Sequence, residues 1–263
     1  MAARASALVR SALPPLTLFL TVAALWHGAT AILNIPAFVL PGPADVAREA
    51  FANGARLVSA TGLTAVAALS GFCASLVIGC LIGFAFSQWP LVRSSCYPYA
   101  IFLQTVPIVA IAPLIIIWFG TGLQSVILVA FIVSLFPMIT NATAGLTTLD
   151  RDLLALFRLY HASRWQTLTK LRLPAAVPFV IAGAKTSSGL SVIGAIVGEF
   201  FAGYGAERYG LGYLITLTSG QLKTAYLFSA VLCSTALGLV MFGAISAIGN
   251  AVLNRWFRHQ THG

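Results

Sequence analysis

Two charged residues interrupt otherwise apolar sequence, Lys185 and Glu199. Fourteen positions separate them, about 21 Å along a helix, so they cannot pair within one straight helix. An ionisable group at membrane depth lines a path, pairs with another helix, or snorkels to the interface. Lys185 lies close enough to one end of its segment to snorkel, and Glu199 is expected at the external mouth, where an interfacial position costs little. Ser187 and Ser188 bring hydroxyls to the same stretch. Catalysis has no comparable foothold. There is no GxxxxGK[ST] to cradle phosphates and no HExxH. His27, His161, His259 and His262 are dispersed. Cys73, Cys80, Cys96 and Cys233 lack CxxC spacing and read as small core residues. The chain is expected not to be an enzyme and to hold no metal or cofactor.

The elements that must position these groups are set by composition. Of 263 residues, 59% are hydrophobic and 8% charged, against about 25% charged in soluble domains. That is too little charge to cover a surface in water, and the fold class expected is an all-α integral membrane protein. The net charge of +9 does not indicate nucleic acid, because the bias of Lys and Arg toward the cytoplasm accounts for a basic excess.

Six apolar stretches are long enough to span a bilayer: about 13–33, 61–87, 97–119, 123–145, 175–200 and 224–248. The first is read as a retained helix rather than a signal peptide, because more spans follow. Residues 1–12 form a basic arm, 34–58 an external interfacial segment with a short helix after Pro43, 201–223 an external glycine-rich loop, and 252–263 a tail. Gly79 and Gly83, and again Gly194 and Gly198, have the GxxxG spacing that permits close helix packing. Pro107, Pro113 and Pro137 fall in the third and fourth spans. Kinked backbone is tolerated in a membrane where neighbours or a cavity satisfy the freed carbonyls. These prolines therefore join Lys185, Ser187, Ser188 and Glu199 as candidates for lining or gating a path, packing kinks being the alternative.

Six spans place both termini on one side. That side collects ten basic residues, Arg4, Arg10, Arg93, Arg151, Arg158, Arg164, Lys170, Arg172, Arg255 and Arg258. The other collects four, Arg48, Arg56, Arg208 and Lys223. The richer side is expected to be cytoplasmic.

Between spans four and five lies a polar loop, about 146–174. Residues 150–174 carry five basic and two acidic residues, after 56 residues (94–149) with none. Thr147 with Asp150 reads as a capping box opening one helix, and Ser163 with Gln166 as a box opening a second, which Pro174 ends. Leu153, Phe157 and His161 share one face of the first helix, with Leu156 and Tyr160 beside it. Such apolar side chains need cover. Docking in the groove of a cytoplasmic partner, lying on lipid headgroups, and folding back on the chain are the three readings, and the first is preferred.

The chain resembles the permease subunit of bacterial binding-protein-dependent ATP-driven importers, in the branch handling nitrate, sulfonates, taurine, bicarbonate and thiamine-precursor pyrimidines. The resemblance covers nearly the whole chain. It is carried by LPGPADV (40–46), VPIVAIAPLIIIWFGTG (106–122), FP (136–137), LRLP (171–174), AIVGEF (195–200) and GLGYL (210–214), in this order and spacing. It implies a homodimer of permeases in the inner membrane, two ATP-binding subunits that hold ATP and Mg, and a periplasmic or secreted solute-binding protein. The solute implied is small and polar or anionic, such as a sulfonate, nitrate or taurine; a thiamine-precursor pyrimidine or related heterocycle is the alternative. The polar loop would be the ATPase coupling element. Anchored on Leu173 and Pro174, the family's Glu-Ala-Ala falls on Ala155, Leu156 and Phe157, and its Gly on His161, with Ala162 and Ser163 matching the usual continuation. The Glu and the Gly are absent, which implies a modified coupling surface with a more relaxed turn at His161. A secondary carrier or a membrane scaffold, neither driven by an ATPase, is the rival class.

Overall fold

The computed structural model describes residues 2–202 and 209–258, with side chains described for 13, 14, 16–202 and 209–255. Its elements are all helical. In chain order they are α1 (Ala2–Ile32), α2 (Pro43–Ala52), α3 (Gly54–Gln88), α4 (Pro90–Thr105), α5 (Ile108–Phe119), α6 (Leu123–Thr147), α7 (Arg151–Leu159) and α8 (Arg164–Thr167). A π-helical turn, Leu168–Arg172, joins α8 to α9 (Leu173–Ala202), followed by α10 (Leu211–Gly220) and α11 (Thr224–Arg258). Among the described residues, four helical stretches are long and apolar enough to cross a membrane: Gly54–Gln88, Leu123–Thr147, Arg164–Ala202 and Thr224–Arg255. The chain is a multi-pass membrane protein. In α1 the apolar part is Leu16–Ile32, about 25 Å of helix against a hydrocarbon core of about 30 Å.

The third expected span is not one helix. It divides into α4 and α5, which meet at 98°. The break has a local cause. A residue before proline is pushed into extended backbone, and Val106 (φ −72°, ψ 125°) and Pro107 (φ −60°, ψ 118°) are both extended. Pro113 and Pro137, by contrast, stay inside helices α5 and α6.

Helices α3, α6 and α9 form the centre, brought together by small residues. A Cβ placed on Gly79 would lie 2.5 Å from Met138 Cβ, and one on Gly83 2.6 Å from Ala142 Cβ. Across the other interface, a Cβ on Gly194 would lie 2.8 Å from Ala130 Cα. Both GxxxG pairs thus mark faces where backbones approach too closely for a side chain.

The outer connections are more ordered than expected. In the segment 34–58, Trp26 Nε1 donates to Pro41 O (3.0 Å), Thr224 Oγ1 to Phe38 O (2.6 Å), and Ser229 Oγ to Val46 O (3.0 Å). These bonds tie the segment to α1 and α11. The expected loop 201–223 contains α10, whose Leu211 and Leu214 are fully buried. Residues 203–208 of that loop, including Arg208, lie outside the described residues, as do 259–263 with His259 and His262. The expected arm 1–12 is helical from Ala2 as part of α1, and α11 carries the helix through the expected tail to Arg258.

Candidate functional site

The bend between α4 and α5 leaves space. A cavity of about 740 Å³ lies among α4, α5, α6 and α9, within the roughly 300–1,000 Å³ range of small-molecule sites. Pro107 and Pro137 line it, and Pro113 does not. Its polar groups are Gln104 and Thr105 at the end of α4, Thr140 and Asn141 on α6, and Thr186 on α9. Phe131 and Phe136 supply aromatic wall. Asn141 stands one turn beyond Pro137, and its Nδ2 donates to Pro137 O (2.8 Å). None of these polar residues was singled out from sequence; an amide four residues after a membrane proline was the legible signal.

The other path candidates lie elsewhere. Ser187 is fully buried and donates to Ser134 O of α6 (2.8 Å), while Ser188 donates to Lys185 O in its own helix (2.8 Å). Both serve helix packing. Lys185 faces a groove between α9 and α11, and its Nζ donates to Asn250 Oδ1 (3.2 Å).

Glu199 is not at an open mouth. It is 5% exposed and caps α10. Its Oε2 accepts from the Gly212 N–H (2.8 Å) and the Thr64 hydroxyl (2.9 Å), and Thr64 Oγ1 in turn accepts from the Leu211 N–H (2.9 Å). These are among the first N–H groups of α10, which have no partner within their own helix. A Cβ on Gly210 would collide with the Glu199 carboxyl, and one on Gly212 with Ile196 O. The glycines of GLGYL let the chain close over this acid.

At the other end of α6, the polar loop forms the expected helical pair with a changed start. Asp150, not Thr147, is the first cap: its Oδ1 accepts from the Asp152 N–H (2.8 Å). Thr147 is the last residue of α6 and donates back to Thr143 O (2.7 Å). The second box is present in full, with Ser163 Oγ accepting from the Gln166 N–H (3.2 Å) and Gln166 Oε1 from the Ser163 N–H (2.8 Å).

The turn between the two helices is tight despite His161. Ala162 N–H donates to Phe157 O (2.9 Å) and His161 N–H to Arg158 O (3.0 Å), the pattern of a Schellman cap. His161 takes the left-handed conformation that this cap requires, with φ +51°. The turn that a glycine would make is therefore retained, and the relaxed turn expected of His161 is not seen. Pro174 does not end the second helix either. Proline has no N–H and crowds the carbonyl four residues back; the helix absorbs this by widening into the π turn, where Leu173 N–H reaches Leu168 O, and then continues.

The faces of α7 divide differently from the sequence reading. Phe157 is half-buried and turns inward with Leu154 toward Ser87, Gln88 and Leu168. Leu153, Leu156, Leu159 and Tyr160 are exposed, joined by Trp165 of α8; Tyr160 is 77% and Trp165 71% exposed. Ala155 and Ser163 are also exposed, and Ala162 is half-buried. Arg172 Nη1 donates to Ser87 O (3.2 Å), tying the pair to the end of α3. Among the described residues no three His, Cys, Asp or Glu side chains cluster as metal ligands would.

This arrangement agrees with comparisons to known proteins. The family described as "binding-protein-dependent transport system inner membrane component" matches residues 75–260. A riboflavin transport system permease protein, RibX, of Chloroflexus aurantiacus is 33% identical over 245 residues, covering 92% of this chain and 89% of the relative. A formylaminopyrimidine transport permease protein, ThiX, of Halalkalibacterium halodurans is 28% identical, covering 92% and 95%. A putative aliphatic sulfonates transport permease protein, SsuC, of Bacillus subtilis is 28% identical, covering 82% and 78%. Among solved structures, an inward-facing MetNI methionine ABC transporter chain shares the fold, with TM-score 0.56 at 18% identity over 74% of this chain and 94% of that one. Matched by its family over more than half its length, the chain belongs to the binding-protein-dependent transport system inner membrane components, the permease subunits of bacterial ABC importers.

Proposed function

We propose that the cavity among α4, α5, α6 and α9 is part of a solute path, and that α7 and α8 couple it to a separate ATPase. One observation carries this reading. The helical stretch Arg164–Ala202 is a single long element. It begins in the exposed pair and passes Thr186 and Leu190 of the cavity wall, about 33 Å further along. A displacement of α8 is thereby transmitted to the cavity. The exposed Leu153, Leu156 and Tyr160 fit an apolar groove on the partner, beside a turn held by His161, Ala162 and Ser163. Ala155 leaves that surface without the family's acidic group, so the partner groove is fitted to an apolar contact.

Six spans are assigned: the apolar part of α1, then α3, the broken pair α4–α5, α6, α9 and α11. The ten-to-four division of Lys and Arg supports cytoplasmic termini and a cytoplasmic α7–α8 pair. Two copies of the chain, two ATPases holding ATP and Mg, and an external solute-binding protein make the importer. Closure of the ATPase pair on ATP moves the coupling helices and opens the path outward; hydrolysis returns it. Relatives whose names print a solute include permeases for riboflavin, formylaminopyrimidine and aliphatic sulfonates. The solute is small and polar or anionic, such as a sulfonate, nitrate or taurine, with a nitrogen heterocycle as the alternative.

The test is co-purification. Leu156→Asp and Tyr160→Asp should each remove most of the bound ATP-binding subunit while the chain still inserts in the membrane. Phe157, which faces inward, is not a clean probe. Undiminished association would refute this docking face, and transport by the chain alone would favour a secondary carrier.

A further inference from the structure

Among the described residues, the cavity wall holds no Asp, Glu, Lys, Arg or His. Lys185, the cation nearest in sequence, is on the other groove of α9, bonded to Asn250. A nitrate or sulfonate entering this cavity would shed water with no cationic side chain to receive it, only the partial positive end of α5, and an unpaired charge is costly to bury.

The hydrogen-bonding groups point the same way. An anion's oxygens only accept, so an anion site needs spare donors. Here the three threonine hydroxyl donors are spent, and the amide oxygens of Gln104 and Asn141 would meet no donor on an anion. Thr105 donates to Phe102 O (2.8 Å), Thr140 to Phe136 O (3.1 Å) and Thr186 to Ala182 O (3.2 Å). Asn141 spends one Nδ2 N–H on Pro137 O, which leaves its second N–H as a donor and its Oδ1 as an acceptor. Gln104 alone among these side chains keeps a free amide, with donors and an acceptor. The first N–H groups of α5, at Ile108 and Val109, have no acceptor within the helix, and Ile108 lines this wall. Both amides thus present a donor and an acceptor side by side, and the rest of the wall is apolar and aromatic.

We infer that the solute handled by this cavity is an uncharged nitrogen heterocycle, whose ring N–H groups meet Asn141 Oδ1 and whose carbonyls meet Gln104 and the start of α5, rather than a small anion. Phe131 and Phe136 offer faces against which a flat ring packs. The inference rests on the cavity being the path.

The test is equilibrium binding to the nucleotide-free permease–ATPase complex in detergent. The probes are riboflavin and uracil, both neutral with a ring imide N–H, and ethanesulfonate as the anion. Saturable binding of at least one neutral probe is expected, with no competition from a hundredfold excess of ethanesulfonate. Asn141→Ala and Gln104→Ala should each weaken binding about tenfold. Gln104 is exposed, so its variant keeps the test decidable if Asn141→Ala does not fold. Binding of neither neutral probe, displacement by ethanesulfonate, or unchanged affinity in the variants would overturn the inference. The two readings fail separately: a complex that retains its ATPase yet binds ethanesulfonate sinks the heterocycle and spares the importer, and a chain with no ATPase partner sinks the importer.

Discussion

Glu199→Ala measures what the buried acid does. In the native chain Glu199 Oε2 receives two hydrogen bonds, from Gly212 N–H and from Thr64. Alanine strands the first donor, which sits at the start of α10 with no helical partner. The second is not stranded, because Thr64 can donate instead to Ala60 O at 3.1 Å. One orphaned buried donor costs about 1–3 kcal/mol, and that is the loss expected, before any cavity left by the missing side chain. Glu199→Gln should cost less, because its carbonyl oxygen still accepts from Gly212 N–H. The assay is reversible unfolding in mixed detergent micelles, with amide exchange followed across α10. Thr64→Val removes the acceptor for Leu211 N–H and should cost a similar amount. The double variant should be milder than the sum of the two singles by about 1 kcal/mol, the net worth of the Thr64–Glu199 bond. Additivity within about 0.5 kcal/mol, together with unchanged exchange at Leu211 and Gly212, would refute the capping role.

Other consequences follow from the same geometry. Gly83→Leu should destabilise the chain by about 1–3 kcal/mol by forcing α3 away from Ala142, seen in the same unfolding assay, whereas Gly238→Leu should be nearly neutral because no atom lies within 4 Å of its Cβ position. His161→Gly should relieve a left-handed non-glycine residue by about 1 kcal/mol, read as slower amide exchange at His161 and Ala162. Lys185→Met should change solute uptake less than twofold, because the ammonium faces Asn250 rather than the cavity; a tenfold loss would place Lys185 in the path. Pro174→Ala should let the π turn tighten to α and rotate α8 against α9, a change that spin-label distances between α8 and α11 would register.

Much of the fold was legible because its determinants are local or compositional. The apolar stretches, the Ser163–Gln166 box and the two GxxxG faces each depend on residues a few positions apart. The failures share a different cause. A proline in an apolar stretch does not by itself say whether a helix breaks: Pro107 interrupts the backbone, while Pro113 and Pro137 stay inside helices. The burial of Glu199 was not legible because its partners, Thr64 and Gly212, lie 135 and 13 residues away. The same blindness hid Gln104, Thr140 and Asn141, which line one cavity only because α4 and α5 bend beside α6. His161 was misread because the Schellman hydrogen bonds impose a left-handed residue there whatever its type.

In the proposed mechanism, solute movement through this chain is driven from α7 and α8. ATP-dependent uptake into vesicles holding the assembled complex tests it most directly, with the intact chain compared with Leu156→Asp. The intact complex should accumulate solute only with ATP, and the variant should lose that accumulation in proportion to its lost ATPase. Uptake by the chain without any ATP-binding subunit, or full ATP-driven uptake by Leu156→Asp, would contradict it.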